Sequence, residues 1–188
     1  MTTPPTARLA LSHTTMAVRD LDTMLDFYRD VLGFVVTNRG AAPDGSEMAF
    51  ISQDPGEHHQ MVFISGLPEN AQQFVMVDHL AFRTGDLDDL RAIGERLDQA
   101  GIEGVIPIDH GNAWSLYFND PEGNGLECFV DSPFHVAQPF ADGLDIGASD
   151  GEIEATTLAR IEDDAEFQPM AEWRAQFRQR LDGGSGGE

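Results

Sequence analysis

The chain has 188 residues, enough for one domain or two tightly joined modules around a buried core. Its 33 acidic and 11 basic residues give a formal net charge of −22, which argues against binding to nucleic acid or to an anionic membrane surface. All the basic residues are Arg, so mechanisms that need a lysine nucleophile, Schiff base or P-loop lysine are excluded. Such a charge fits either a high-salt host or a general need for solubility.

The cysteine count and the N-terminus indicate a cytoplasmic protein. Cys128 is the single cysteine, so no intramolecular disulfide can form. The first 15 residues lack the apolar run of a signal peptide, and no stretch of the chain is apolar over the length that a membrane span needs. We therefore expect a protein of a reducing cytoplasm.

An internal repeat organises the first two thirds of the chain. Residues 12–25 and 78–91 share a His, six intervening residues and then Asp-Leu-Asp, at an offset of 66 residues, from 13 to 79. Strands are predicted at 11–18 and 76–83, each followed by a helix that begins after an Asp and ends near a Gly. Each helix carries one apolar stripe, formed by Leu21, Met24, Leu25, Tyr28 and Leu32 in the first and by Leu87, Leu90, Leu97 and Ala100 in the second.

Three further strands are predicted in each repeat. Turn-forming sequences separate the apolar runs, which are FVVTN, EMAFIS and HQMVFIS in the first repeat and GVIPI, AWSLYF and GLECFV in the second. The result is an α+β fold of two βαβββ modules, at about 9–66 and 74–131, within a domain at 1–135.

A C-terminal extension at 136–188 follows this domain. It contains an extended arm, two helical patches at about 149–162 and 170–181, and a flexible GGSGGE tail. The extension could pack on the domain, cover a pocket or join a partner subunit.

Three residues are candidate metal ligands. His13 and His79 occupy equivalent positions of the repeat, although a lone strand histidine is more often structural. Glu127 lies inside an apolar strand, where a carboxylate is unfavourable unless it is paired, hydrogen-bonded or bound to metal. Two imidazoles and one carboxylate form a facial triad that suits non-haem Fe(II) with open coordination positions.

The pair His58 and His59 stands at the start of a predicted strand. Aligning Phe63 with Phe129 puts Met61 at the position of Glu127, so the first repeat supplies no carboxylate there. Residues two apart share a face of a strand, so His59 is expected to face the cavity with Met61 and His58 to point away. A cavity histidine that is not a ligand is typical of an acid/base.

Tyr117 precedes the NDPEGNG turn, and a hairpin would bring it near Glu127. Ser115 lies on the same face of its strand. Tyr117 is also compatible with an ordinary core position that leaves its hydroxyl at the rim. His110 and Asn112 are either substrate contacts or turn residues without chemistry.

These motifs resemble the vicinal oxygen chelate superfamily and, within it, the type I extradiol ring-cleaving dioxygenases. The repeat and the NDPEGNGLE hairpin are shared across the superfamily and indicate its fold rather than one reaction. The order of polar residues resembles the extradiol enzymes more specifically, with Glu127 ten residues after Tyr117. The matching positions are His13, His58 with His59, His79, His110 with Asn112, Tyr117 and Glu127.

The resemblance implies an activity and a role for each residue. His13, His79 and Glu127 would bind Fe(II), with Mn(II) as an alternative, and His59 would be the acid/base. Tyr117 and His110 would hydrogen-bond the oxygens of a catechol-type aromatic diol, with Asn112 as a further substrate contact. O2 would then cleave the ring beside the diol. Larger family members carry an additional module pair at the N-terminus, whereas this sequence contains one pair. We also expect a homo-oligomer.

Two alternatives share the fold. One is a glyoxalase-like isomerase or transferase that uses Ni, Zn or Mn, and Met61 in place of a fourth ligand counts against it. The other is a metal-free small-molecule-binding protein of the bleomycin-resistance type, which has no need for this set of ligands or for His59.

Overall fold

In the computed structural model, which describes residues 10–69, 71 and 77–183, the first repeat folds into a four-stranded sheet. The sheet has the order β1-β4-β3-β2, with β1 parallel to β4. Its strands are β1 (Thr14–Val18), β2 (Val35–Ala41), β3 (Glu47–Ser52) and β4 (Met61–Ser65).

The second repeat folds in the same way. Its strands β5 (His79–Arg83), β6 (Ile106–Asp109), β7 (Ala113–Asn119) and β8 (Gly125–Asp131) take the order β6-β7-β8-β5, with β5 parallel to β8. The predicted α+β fold of two βαβββ modules is therefore confirmed. Residue 76 of the second predicted strand and most of the GGSGGE tail lie outside the described residues.

Both predicted N-caps begin their helices. The Asp20 carboxylate accepts from the Thr23 N–H at the start of α1 (Leu21–Asp26), and Asp86 does the same for Asp89 at the start of α2 (Leu87–Gln99). The chain leaves the helical segments through Gly33 (φ 83°) and Gly101 (φ 70°), a backbone conformation that favours glycine. Unlike the continuous helix that the apolar stripe predicts, α1 ends at Asp26 and residues Phe27–Val31 form a π-helical turn.

One hydrophobic core spans both modules. Phe27 of the first module packs against Phe118 of the second, with ring centroids 6.5 Å apart, and Phe34 packs against Phe82 at 5.6 Å. At the end of β1, the backbone N–H groups of Arg19 and Asp20 donate to the Glu122 carboxylate, at 2.6 and 2.9 Å. The modules are therefore joined by apolar packing and by hydrogen bonds across the seam.

The strand register corrects the alignment of the two repeats. Met61 and Phe63 pair with Thr14 and Met16, and both are buried in the core, with 1% and 0% exposure. Val62 pairs with Thr15 as Glu127 pairs with Ala81, so Val62 occupies the position equivalent to Glu127. The last strands of the two modules are separated in sequence by one residue less than the first strands. Because a shift of one residue moves every side chain of a strand to the opposite face, Met61 points into the core, and the prediction that it faces the cavity is wrong.

The C-terminal extension packs on the second module, which is one of the three arrangements that its sequence allows. Its helices α3 (Asp150–Ile161) and α4 (Met170–Gly183) match the predicted patches closely. Short strands are β9 (Phe134–His135), β10 (Asp142–Gly143), which pairs with β6, and β11 (Gln168–Pro169), which pairs with β9. None of the helices in the described part of the chain is long and apolar enough to cross a membrane.

A buried polar relay fastens α3 to the second sheet. The fully buried Thr157 hydroxyl donates to Asp109 Oδ2 and accepts from Trp114 Nε1, both at 2.8 Å. Arg160 adds a hydrogen bond to the same Asp109 oxygen at 3.2 Å. The relay satisfies a carboxylate and an indole N–H that would otherwise be buried without partners.

We expect Thr157→Val to destabilise the protein by about 1–3 kcal/mol, because the variant leaves the buried Trp114 N–H without an acceptor. Urea unfolding measures the change. Thr156→Val, on the exposed side of the same helix, is the matched control and should change stability by less than about 0.5 kcal/mol. Equal stability of the two variants would contradict a structural role for the relay.

Candidate metal and acid–base site

The face of the second sheet opposite the helices carries the first group of candidate residues. Tyr117 on β7 lies directly opposite Glu127 on β8, as the predicted hairpin requires, and Glu127 pairs with Ala81 on β5. The alternate residues of β8, Leu126, Cys128 and Val130, are buried in the core. Strand alternation therefore places His79, Tyr117 and Glu127 on one face.

Glu127 is a buried carboxylate with two close partners. It is 7% exposed, the Ser115 hydroxyl donates to its Oε1 at 2.6 Å, and His79 Nε2 lies 3.2 Å from its Oε2. Sequence reasoning placed Ser115 on the face of Tyr117 but gave it no role. A polar residue on the cavity side of a buried strand was the signal that could have identified it.

The hydrogen bonds of His79 define its ring orientation. Its Nδ1 lies 2.9 Å from the Asp78 carboxylate, which can only accept, so Nδ1 carries a hydrogen. In the neutral ring Nε2 is then an acceptor that faces the Glu127 carboxylate, also an acceptor. A proton or a cation must lie between them, and a carboxylate behind a histidine is the usual arrangement at metal ligands. Asp78 was not predicted, although it directly precedes His79.

His13 packs against His59. Their ring centroids are 4.6 Å apart, and His13 directly precedes β1. Within residues 10–69, 71 and 77–183, no group of three or more His, Cys, Asp or Glu side chains is arranged to hold a metal ion. The structure thus brings together two of the three predicted ligands, and binding through all three requires the His13 ring to approach His79 and Glu127.

His58 and His59 form a hydrogen-bonded chain with Asn38. They precede β4, which begins at Met61, so strand alternation does not apply to them. His58 Nε2 lies 3.2 Å from Asn38 Oδ1, and the two Nδ1 atoms of the histidines are 3.0 Å apart. If His58 donates to Asn38, then His59 Nδ1 donates to His58 and leaves a lone pair on His59 Nε2.

Strand alternation therefore does not separate the two rings, contrary to the premise of the prediction. Both rings pack against Phe50, with centroid distances of 6.0 Å for His58 and 5.3 Å for His59. The pattern of apolar residues extended the predicted strand two residues too far toward the N-terminus, and the two histidines belong to the preceding loop.

Tyr117 and His110 form the third polar contact. His110 Nδ1 donates to the Phe140 carbonyl at 2.9 Å, so Nε2 of the neutral ring accepts from the Tyr117 hydroxyl at 3.0 Å. Burial, and then the nearby Glu127 carboxylate, raise the pKa of Tyr117, which keeps this hydroxyl protonated. Asn112 lies in the same turn as His110, and its carbonyl accepts from the Ser132 N–H.

The fold and this arrangement agree with a known family. The sequence model of the Glyoxalase/Bleomycin resistance protein/Dioxygenase superfamily matches residues 10–128. The chain belongs to this superfamily, whose fold is that of the vicinal oxygen chelate proteins.

Relatives within the family include two dioxygenases of Rhodococcus globerulus. The chain is 35% identical over 126 residues to biphenyl-2,3-diol 1,2-dioxygenase 3, covering 65% of this chain and 63% of that protein. It is 31% identical over 130 residues to biphenyl-2,3-diol 1,2-dioxygenase 2, covering 68% and 65%. The matched regions thus span less than two thirds of each relative's length.

A solved structure shows the same fold. The glyoxylase/bleomycin resistance protein/dioxygenase domain from Frankia sp. EAN1pec superposes with a TM-score of 0.58 at 27% identity, covering 67% of this chain and 94% of that domain. The region shared with that domain corresponds in extent to the two modules and not to the whole chain with its extension.

Exchanging the carboxylate of Glu127 for an amide tests the contact with His79. In metal-free protein we expect Glu127→Gln to be as stable as the unmodified protein or more stable by about 1–3 kcal/mol, because an amide N–H can donate to His79 Nε2. Thermal unfolding in chelator measures this, with Glu95→Gln on the exposed side of α2 as control. A clear loss of stability would instead mean that a proton on His79 already bridges the pair.

Proposed function

We propose that this protein is an extradiol dioxygenase that uses Fe(II), or Mn(II) as an alternative, to cleave the ring of a catechol-type aromatic diol with O2. The observation that carries the proposal is the contact of His79 Nε2 with the buried Glu127 Oε2, at 3.2 Å, on the face of the sheet that also carries Tyr117. A divalent cation would bridge the two groups, and the protonated Tyr117 hydroxyl would be available to hydrogen-bond a bound diol. The similarity to two biphenyl-diol dioxygenases supports the same reaction.

His79 and Glu127 would hold the metal, with His13 as the third ligand. When bound, Fe(II) supplies a template that holds the diol and O2 together and passes electrons between them. Asp78 and Ser115 orient the two ligands through their hydrogen bonds, at 2.9 and 2.6 Å.

His59 is proposed as the acid/base. With its Nδ1 hydrogen directed at His58, its Nε2 is free to take a proton from a hydroxyl of the diol and to return it later. The Tyr117 hydroxyl, oriented by its hydrogen bond to His110, hydrogen-bonds an oxygen of the diol, and Asn112 contacts the substrate from the same turn as His110.

The corrected alignment also bears on the rival reaction. Val62, rather than Met61, stands where a fourth ligand would be, and a valine supplies no donor atom. This supports a three-ligand site with open positions over the four-ligand glyoxalase type. A metal-free binding protein of this fold has no need for His13, His79 and Glu127 together, or for His59.

An anaerobic reconstitution tests the reaction. The protein is purified without oxygen, loaded with Fe(II), given catechol or 2,3-dihydroxybiphenyl, and then exposed to air. We expect a yellow ring-fission product and consumption of O2. Bound iron without product from any of a panel of catechols would refute the dioxygenase proposal.

Substitutions at the two neighbouring histidines separate ligand from acid/base. We expect His59→Gln to retain iron while kcat falls by about 10²-fold or more, and His58→Gln, which disturbs only the orientation of His59, to lower kcat by about 10-fold. His13→Ala is the contrasting variant and should lose iron, measured by metal analysis after gel filtration. Loss of iron from His59→Gln would show that His59 is a ligand.

A further inference from the structure

The extension contributes a contact to the candidate site. We propose that the arm formed by residues 132–143 belongs to this site, because the backbone carbonyl of Phe140 determines the tautomer of His110. The tautomer in turn determines the direction of the hydrogen bond between His110 and Tyr117. Phe140 is then a positioning residue. The effect on turnover rests on the proposed function, whereas the tautomer does not.

The arm is held against His110 by several bonds. The Gln138 side chain donates to the His110 carbonyl at 2.9 Å and accepts from the Phe140 N–H at 3.1 Å, so it joins the two residues. Beyond Phe140, Asp142 pairs with Asp109, the residue before His110. The Phe140 carbonyl is therefore fixed on both sides at 2.9 Å from His110 Nδ1.

Close packing at Gly111 shows how tightly the arm fits. A Cβ atom at Gly111 (φ 72°) would lie 2.5 Å from Val136 Cγ1 and 3.3 Å from Phe140 Cδ1. The Ser132 hydroxyl also donates to the Gly111 carbonyl at 2.5 Å. Only glycine allows both this backbone conformation and this approach, so the turn and the arm are matched to each other.

The carbonyl determines which way the hydrogens point. A carbonyl only accepts, so the single hydrogen of neutral His110 is on Nδ1, and Nε2 must accept the hydrogen of Tyr117. The lone pairs of the Tyr117 oxygen then remain for a hydroxyl group in the cavity. With the hydrogen on Nε2 instead, His110 would donate to Tyr117, and the Tyr117 hydrogen would turn to the Glu127 carboxylate, which lies opposite on β8.

The family match does not account for this contact. The superfamily model matches residues 10–128, and the arm begins at residue 132. His110 and Tyr117 lie within the matched region, whereas the group that orients them comes from the extension.

Nitrogen NMR of the His110 ring tests the tautomer in metal-free protein, with no need for substrate. Long-range ¹H–¹⁵N spectra at a pH where the ring is neutral are assigned by the signals lost in His110→Asn. We expect the hydrogen on Nδ1 in the unmodified protein and a mixture of tautomers in Gln138→Ala, because this variant removes the side chain that joins Phe140 to His110. The control Gln176→Ala removes an exposed glutamine whose side chain bonds that of Gln168 and should leave the spectrum unchanged.

Two NMR results would overturn the inference: a hydrogen on Nε2 in the unmodified protein, or an unaltered Nδ1–H tautomer in Gln138→Ala. Iron-loaded Gln138→Ala should in addition show a kcat about 10-fold lower with little change in KM, at a thermal midpoint close to that of Gln176→Ala. A kcat equal to that of the control, despite mixed tautomers, would refute the functional role of the arm. Absence of turnover in every form would refute the proposed dioxygenase and leave the NMR result to decide the tautomer.

Discussion

The parallel pairing of the first and last strands in each module is the constraint on which the site depends. β1 pairs with β4, and β5 pairs with β8, each in a fixed register. The register determines which face of each sheet packs against the helices in the core. In the second module the opposite face receives Glu127 beside His79 and Tyr117. In the first module the same register buries Met61 and Phe63, so that Val62 occupies the position equivalent to Glu127.

A second theme is that three histidines are each oriented by a neighbouring acceptor. Asp78 accepts from His79, Asn38 reaches His59 through His58, and the Phe140 carbonyl accepts from His110. In the neutral ring of each of these histidines, Nδ1 carries the hydrogen and donates it to a neighbour, and Nε2 is left as an acceptor. Imidazole changes its role with its tautomer, so these acceptors decide whether a ring can bind metal, take a proton or accept from tyrosine.

The extension shows how a segment outside the matched family region can still belong to the site. Its helix α3 is fastened to the second sheet through Thr157, which bonds both Asp109 and Trp114. The same Asp109 precedes His110 and pairs with Asp142 of the arm. Packing of the extension and orientation of His110 are therefore coupled through Asp109, the last residue of β6, which directly precedes His110.

The sequence by itself determined the two βαβββ repeats, both Asp helix caps and the two helical patches of the extension, because these follow from local periodicity and from short turn signals. It also predicted that Tyr117 lies near Glu127, since the hairpin length alone sets the two residues opposite each other. Only the tertiary structure decided the register of β4, the loop position of His58 and His59, and the contact of His13 with His59. It likewise decided which residues orient the candidate site, namely Asp78, Ser115, Asn38 and Phe140. Neither a one-residue shift between the repeats nor a contact between distant segments can be recognised from the periodicity of the sequence.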